Sequence, residues 1–309
     1  MTERERIMGK INRQALFVEE SEGFRIPLEP KAGDRVKLRF RTAKDNVESV
    51  YFISGKERNP MTKVCSAGRF DYYEIETKVG TDTIYYYFEI RSNEERLFYN
   101  KLSVTDNLQD CYAFRIIPGF ATPDWAKGAV MYQIYVDRFC NGDSTNDVLT
   151  GEYSYIHKQV EQVKDWSAPP EGMDVRRFYG GDLQGILDKL DYLQDLGVEV
   201  IYMNPIFVSP SNHKYDCQDY DYIDPHYTVI KEDGGDLLPP GELDNTKATK
   251  YIKRVVSKEN LEASNEFFIH FVEEVHKRGI RVLLDGVFNH CGSFNKWLDR
   301  ECIYEGDGD

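Results

Sequence analysis

The sequence has 309 residues and a formal net charge of −14, with 41% hydrophobic and 30% charged residues. That balance suits a globular chain of about two domains, and no run of about 18 apolar residues offers a membrane-spanning helix. Residues 1–120 carry 20 Lys and Arg against 19 Asp and Glu, so the acidic excess of −15 falls after them; it repels a phosphate backbone and suits a neutral ligand or a bound cation.

The charged start, Met1-Thr2-Glu3-Arg4-Glu5-Arg6, lacks the apolar centre of a secretion signal. The six cysteines (Cys65, Cys111, Cys140, Cys217, Cys291 and Cys302) make no CxxC pair. A cytoplasmic protein with reduced thiols is the expectation. From Arg35 to Arg41 polar and apolar residues alternate with period two, which predicts a strand. Residues 48–53, 70–78 and 83–91 are further strands rich in aromatic and β-branched residues, punctuated by Gly33-Asp34, Gly55 and Gly80-Thr81-Asp82. Short strands at this spacing predict a β-sandwich of about 115 residues. Pro118-Gly119 through Pro123 reads as a linker.

The rhythm then changes. Residues 128–136 form a near-continuous apolar run, as expected of a strand buried on both faces. Helical spacing of Ile186, Leu187, Leu190, Leu193 and Leu196 predicts a helix over 185–196, stopped by Gly197. Residues 198–203 predict a second strand, 265–278 a second helix stopped by Gly279, and 280–284 a third strand. Strand, helix, strand, helix, strand implies right-handed βαβ units and a parallel sheet. Function then belongs on the long loops after the strands, residues 138–181 and 205–261.

Four clusters carry candidate chemistry. Asn141, Asp143, Asn146 and Asp147 crowd oxygen-bearing side chains into one loop, followed by Phe178-Tyr179-Gly180-Gly181-Asp182. Such a set either binds a hard cation such as Ca²⁺ or simply makes turns. It is not an EF-hand: Glu152 would fall at position 12, but Asn146 stands where that motif demands Gly. Gly181-Asp182-Leu183-Gln184-Gly185 lacks the Lys-Ser/Thr of a phosphate loop and reads as a turn with Asp182 at a helix start. His213, Tyr215 and Asp216 follow the second strand and form either a sugar subsite or a structured polar loop. Asp285 ends the third strand with His290 five residues on, a pair with either a structural or a rim role.

In this order the motifs resemble the α-amylase family of glycoside hydrolases, in particular its neopullulanase, cyclomaltodextrinase and maltogenic amylase group. The resemblance runs from Thr122-Pro123-Asp124-Trp125-Ala126 through residues 131–139, Gly180-Gly181-Asp182-Leu183 and Asn204-Pro205-Ile206-Phe207 to His213-Lys214-Tyr215-Asp216 and residues 285–290. It implies a starch-binding-type β-sandwich over 1–120, a partial (β/α)8 TIM barrel over 121–290 and the start of an inserted domain over 291–309. It implies Ca²⁺ bound by Asn141, Asp143, Asn146, Asp147, the Gly180 carbonyl and Asp182. Tyr215 resembles the aromatic platform under the sugar, His290 a donor to a sugar hydroxyl, Asp285 a supporting carboxylate, and Asn289 a tether of the inserted domain; His213 and Asp216 complete the substrate set.

The implied activity is retaining hydrolysis of α-1,4 or α-1,6 bonds in cyclodextrins, maltooligosaccharides or pullulan. That mechanism takes a nucleophilic and an acid carboxylate about 5–5.5 Å apart, and the resemblance places both beyond Asp309. The expectation is an N-terminal portion of such an enzyme, inactive alone, from a parent that forms a homodimer. The alternatives are a carbohydrate-binding or dimerisation fragment, or an α-glucosidase or glucanotransferase.

Overall fold

The structure, a computed structural model, describes residues 10–93, 95–172 and 174–304. The chain divides into two compact units, Met1–Lys127 and Gly128–Asp309.

The first unit is all-β. Its strands are β1 (Arg25–Ile26), β2 (Arg35–Ala43), β3 (Ser49–Ser54), β4 (Glu57–Pro60), β5 (Thr62–Ala67), β6 (Phe70–Lys78), β7 (Ile84–Arg91), β8 (Arg96–Asn100), β9 (Ser103–Thr105) and β10 (Phe114–Ile116). One sheet runs β1-β2-β6-β5; the other runs β4-β3-β7-β8-β9, with β10 paired to β7. The period-two pattern of β2 puts Val36, Leu38 and Phe40 into the core, against Val50, Phe52, Phe88 and Ile90 of the second sheet. Each such side chain contributes about 1.5–3 kcal/mol by leaving water. The expected β-sandwich therefore holds. Strands β4, β5 and β8 to β10 carry short or exposed patterns; every residue of β5 is exposed, so its sequence shows no buried face.

The second unit opens with β11 (Met131–Ile134). The short strands β12 (Ser154–Tyr155), β13 (Lys158–Gln159), β14 (Glu161–Gln162) and β15 (Arg177–Phe178) sit in the loop after it. Helices α1 (Leu183–Asp188) and α2 (Leu190–Asp195) lead to β16 (Val200–Met203). A hairpin of β17 (Phe207–Val208) and β18 (Asp219–Ile223) precedes α3 (Thr249–Val256), α4 (Lys258–Lys277) and β19 (Arg281–Leu284). The sheet β11-β16-β19 is parallel throughout, with Met131 opposite Val200 and Val200 opposite Arg281. Ile134, Leu183, Ile186, Leu190, Leu193, Ile201, Phe271 and Val275 share one core. This is the start of a (β/α)8 barrel.

Three expectations change. The run 128–136 is not buried on both faces: Val130 is 51% and Met131 48% exposed, because β11 pairs on one side only among the described residues. The helix over 185–196 is two helices, broken at Lys189, whose backbone (φ −104°, ψ 5°) leaves the helical region. The helix over 265–278 begins earlier, at Lys258. Residues 292–304 fold back onto the same unit: Gly292 N donates to Cys217 O at 2.9 Å, and Phe294 is buried beside Tyr153 and Tyr251.

Candidate functional site

The three parallel strands end together, and the rim is built from the loops that leave their C-terminal ends. After β19, Asp285 N donates to Met203 O at 3.1 Å, which fixes the carboxylate at the end of the sheet. Tyr215 donates its hydroxyl to Asp285 Oδ2 at 2.5 Å, across a separation of 70 residues. That bond, then burial, pushes the Tyr215 phenol up to about 12. His290 Nε2 lies 3.1 Å from Tyr215 O, and Tyr220 donates its hydroxyl to His290 O at 2.8 Å. His290 itself is exposed, as is Asn289, whose Nδ2 lies 3.3 Å from His290 Nδ1. The structure thus brings Asp285, Tyr215 and His290 to one place.

His213 and Asp216 belong to the loop that carries Tyr215. His213 Nδ1 accepts from Tyr215 N at 3.1 Å, and burial pushes its imidazole below the ordinary range. Asp216 is bound by the hydroxyls of Ser209, at 2.6 Å, and Ser211. Its Oδ2 is buried and meets no donor among the described residues.

The second cluster lies in the loop after β11. Asp182 is fully buried and caps α1: its carboxylate accepts from Gly185 N at 2.6 Å, Gly142 N at 3.0 Å and Asp143 N at 2.8 Å, and from Asn146 Nδ2 at 3.1 Å. Burial raises its pKa against these donors. Asn141 Nδ2 donates to Asp147 Oδ1 at 2.7 Å. Gly180, at φ +81°, lies so near that a Cβ there would stand 2.3 Å from Asp147 Oδ1 and 2.6 Å from Asn141 Nδ2. Burial, with repulsion from Asp182 and Asp137, pushes the Asp147 carboxyl up to about 6, against the hydrogen bonds of Gln162 and Asn141.

The metal candidates therefore fall into two groups, Asn141 with Asp147 beside Gly180, and Asp182 with Asn146. Asp143 meets Asp182 through its backbone N–H, while its own Oδ1 accepts from Thr145 N at 2.9 Å and Thr145 Oγ1 at 2.6 Å. Among the described residues no three His, Cys, Asp or Glu side chains form a metal-ready group. Calcium also takes amide and carbonyl oxygens, and here Asn146 Oδ1 is buried with no hydrogen-bond partner. That orphaned acceptor, beside two carboxylates whose burial favours protonation, is the chemistry a hard cation relieves, and in that sense the residues fit one.

Sequence reasoning missed a third feature between these clusters. His226, buried, has Nδ1 2.8 Å from Asp224 Oδ1 and Nε2 2.7 Å from Glu152 Oε1. Arg254 Nη1 donates to Glu152 Oε2 at 2.8 Å and to Asp147 O at 2.9 Å, while Arg254 Nε donates to Asp233 Oδ1 at 2.8 Å. Lys214 Nζ donates to Asp224 Oδ2 at 2.6 Å. Asp224 before Pro225 is the local signal, since Asp caps the short 3-10 turn there through His226 N. The other partners lie 10 to 107 residues apart, and no spacing reveals them.

Known proteins bear on this geometry. The family description "alpha amylase, catalytic domain" matches residues 133–237, and "alpha amylase, N-terminal ig-like domain" matches 28–116. The chain is 31% identical over 296 residues to a cyclomaltodextrinase of Thermoanaerobacter pseudethanolicus, covering 91% of this chain and 42% of that protein. It is 32% identical over 292 residues to an intracellular maltogenic amylase of Bacillus subtilis (86% and 41%), and 35% identical over 310 residues to an amylopullulanase of Thermoanaerobacter thermohydrosulfuricus (90% and 18%). The type III pullulan hydrolase of Thermococcus kodakarensis shares its fold at a TM-score of 0.50 and 26% identity, over 91% of this chain and 43% of that one. The chain spans less than half the length of each of these relatives.

Proposed function

We propose that this chain, which belongs to the α-amylase family, supplies the N-terminal β domain and the sugar-facing rim of an enzyme that hydrolyses α-glucans such as cyclodextrins, maltooligosaccharides or pullulan. The observation that carries the reading is the Tyr215–Asp285 hydrogen bond at the end of the parallel sheet, with His290 beside it. Tyr215 offers an aromatic face, His290 a ring nitrogen, and Asp285 an acceptor that orients the phenol. His213 holds the Tyr215 backbone and Asp216 ties the loop to Ser209 and Ser211.

Turnover needs two carboxylates about 5–5.5 Å apart in a retaining site. The family pattern assigns neither role within these 309 residues; Asp285 is the supporting group. The expected result is that the 309-residue chain binds maltotriose in calorimetry but releases no glucose or maltose. Tyr215→Ala weakens that binding about tenfold, or about 1.4 kcal/mol. Absence of binding by the unaltered chain, or hydrolysis by it, contradicts the reading.

We further assign Ca²⁺ to Asn141, Asn146, Asp147, the Gly180 carbonyl and Asp182, with Asp143 joining if its carboxylate leaves Thr145. The ion would supply positive charge to a buried anionic loop and hold the folded state by mass action. Cytoplasmic location and pairing with a second copy through the β domain complete the proposal. They rest on the intracellular relative and on the family resemblance.

A further inference from the structure

We propose that Lys214 is a positioning residue: its buried ammonium, tied to Asp224, holds residues 209–217 in the one conformation that sets Tyr215 against Asp285. The proposal rests on the glucan-binding reading of that rim. Lys214 lies between His213 and Tyr215 and is turned the other way. It is 1% exposed, while both neighbours are partly exposed. Its backbone sits at φ +55°, a left-handed conformation that a long L side chain seldom adopts unless its surroundings impose it.

The imposing contacts are visible. Lys214 Nζ donates to Asp224 Oδ2 at 2.6 Å and to Ser209 O at 3.2 Å, and lies 4.5 Å from the centre of the Tyr227 ring. Asp224 is rooted outside the loop, just beyond β18. Its Oδ1 accepts from His226 N at 2.9 Å and faces His226 Nδ1 at 2.8 Å, while Oδ2 also accepts from Ser209 N at 3.2 Å. One carboxylate thus grips the loop at its start and at its middle. The far side of His226 is held by Glu152. Lys214 N meanwhile donates to Ser211 Oγ, the hydroxyl that also binds Asp216.

Stability alone does not call for this arrangement. A buried ion pair is often matched or exceeded by apolar residues of the same volume. A charge-assisted hydrogen bond does fix direction, because the ammonium and the carboxylate must meet at short range. Direction is what residues 213 and 215 need, since they must point away from the residue between them.

The test uses the 309-residue chain, with maltotriose as probe. Lys214→Met leaves Asp224 buried without its ammonium, so the double variant Lys214→Met/Asp224→Asn carries the argument if the single one fails to fold. The expected result is a double variant that melts close to the unaltered protein yet binds maltotriose at least about tenfold more weakly, with Lys214→Arg recovering part of the loss. Recovery of both stability and binding in the double variant overturns the proposal. If the unaltered chain binds no maltotriose, the glucan reading fails instead. The crystal structure of the double variant then decides for Lys214: loss of the Tyr215–Asp285 hydrogen bond supports the proposal, and its retention at 2.5 Å overturns it.

Discussion

His226 shows how a single residue reports on the buried network. Burial acts to lower its pKa, but Glu152 and Asp224 on either side outweigh that and raise it above the ordinary imidazole value. Tyr251 stacks on the ring at 6.2 Å, Lys214 balances Asp224, and Arg254 balances Glu152. The folded state therefore keeps the His226 proton to higher pH than the unfolded chain. The stabilisation is fully present below about 6.5 and is lost as pH rises through the raised folded value. Asp224 titrates elsewhere: although burial opposes it, Lys214 and His226 hold it far below the usual carboxylate range, so its share is lost only in strong acid. Thermal melts of the chain should fall as pH rises above about 6.5, and His226→Gln should flatten that fall. A flat profile for the unaltered chain contradicts the assignment. At this scale the sequence is legible where chemistry repeats locally. Asp285 and His290 stand at a strand end, and Asn141 to Asp147 crowd one loop. Glu152 and His226, 74 residues apart, share no local pattern. In the sequence Glu152 stands out only as a failed EF-hand position.

Helix α1 shows what caps and glycines do at the level of the element. Asp182 precedes the helix in extended conformation (φ −144°) and accepts from Gly185 N, which makes it the N-cap. Its role as cap is legible from its place before Leu183; its further reach to the backbone of Gly142 and Asp143 is not. Gly185 permits that approach: a Cβ there would lie 2.0 Å from Cys140 O, so the helix start and the loop after β11 pack backbone to backbone. Asp182→Ala removes a cap worth about 1 kcal/mol and leaves buried amides unpaired at about 1–3 kcal/mol each, so a loss of about 3 kcal/mol or more is expected. Chemical denaturation measures it, and a loss of this size should persist with chelator present, because the hydrogen bonds of Asp182 are made without an ion. The break between α1 and α2 is illegible for a physical reason. Ile186, Leu190 and Leu193 keep helical spacing across Lys189 and all reach the core, so the periodicity survives the interruption.

For the whole molecule, the loop after β11 and the open sheet make separate demands. Ca²⁺ is expected to raise the melting temperature of the chain relative to chelator, since an ion that binds only the folded loop stabilises it in proportion to RT ln(1 + [L]/Kd). Asn146→Leu, which removes the orphaned oxygen, should shrink that difference; superimposable melts with Ca²⁺ and chelator refute the metal assignment. The parallel sheet makes a demand no ion meets. β11 and β19 each pair on one side only among the described residues, and Val130, Met131 and Leu284 are 51%, 48% and 39% exposed. The apolar run at 128–136 has the composition of a strand buried on both faces, and three strands do not provide that environment. Open parallel edges flanked by apolar side chains pair with whatever strand they meet, so the 309-residue chain should self-associate as its concentration rises. Light scattering behind size exclusion checks this. Met131→Lys/Leu284→Lys, which charges both open strands, should shift the population toward monomer. A chain that stays monomeric at high concentration without those substitutions would show that its edges are protected by something other than pairing.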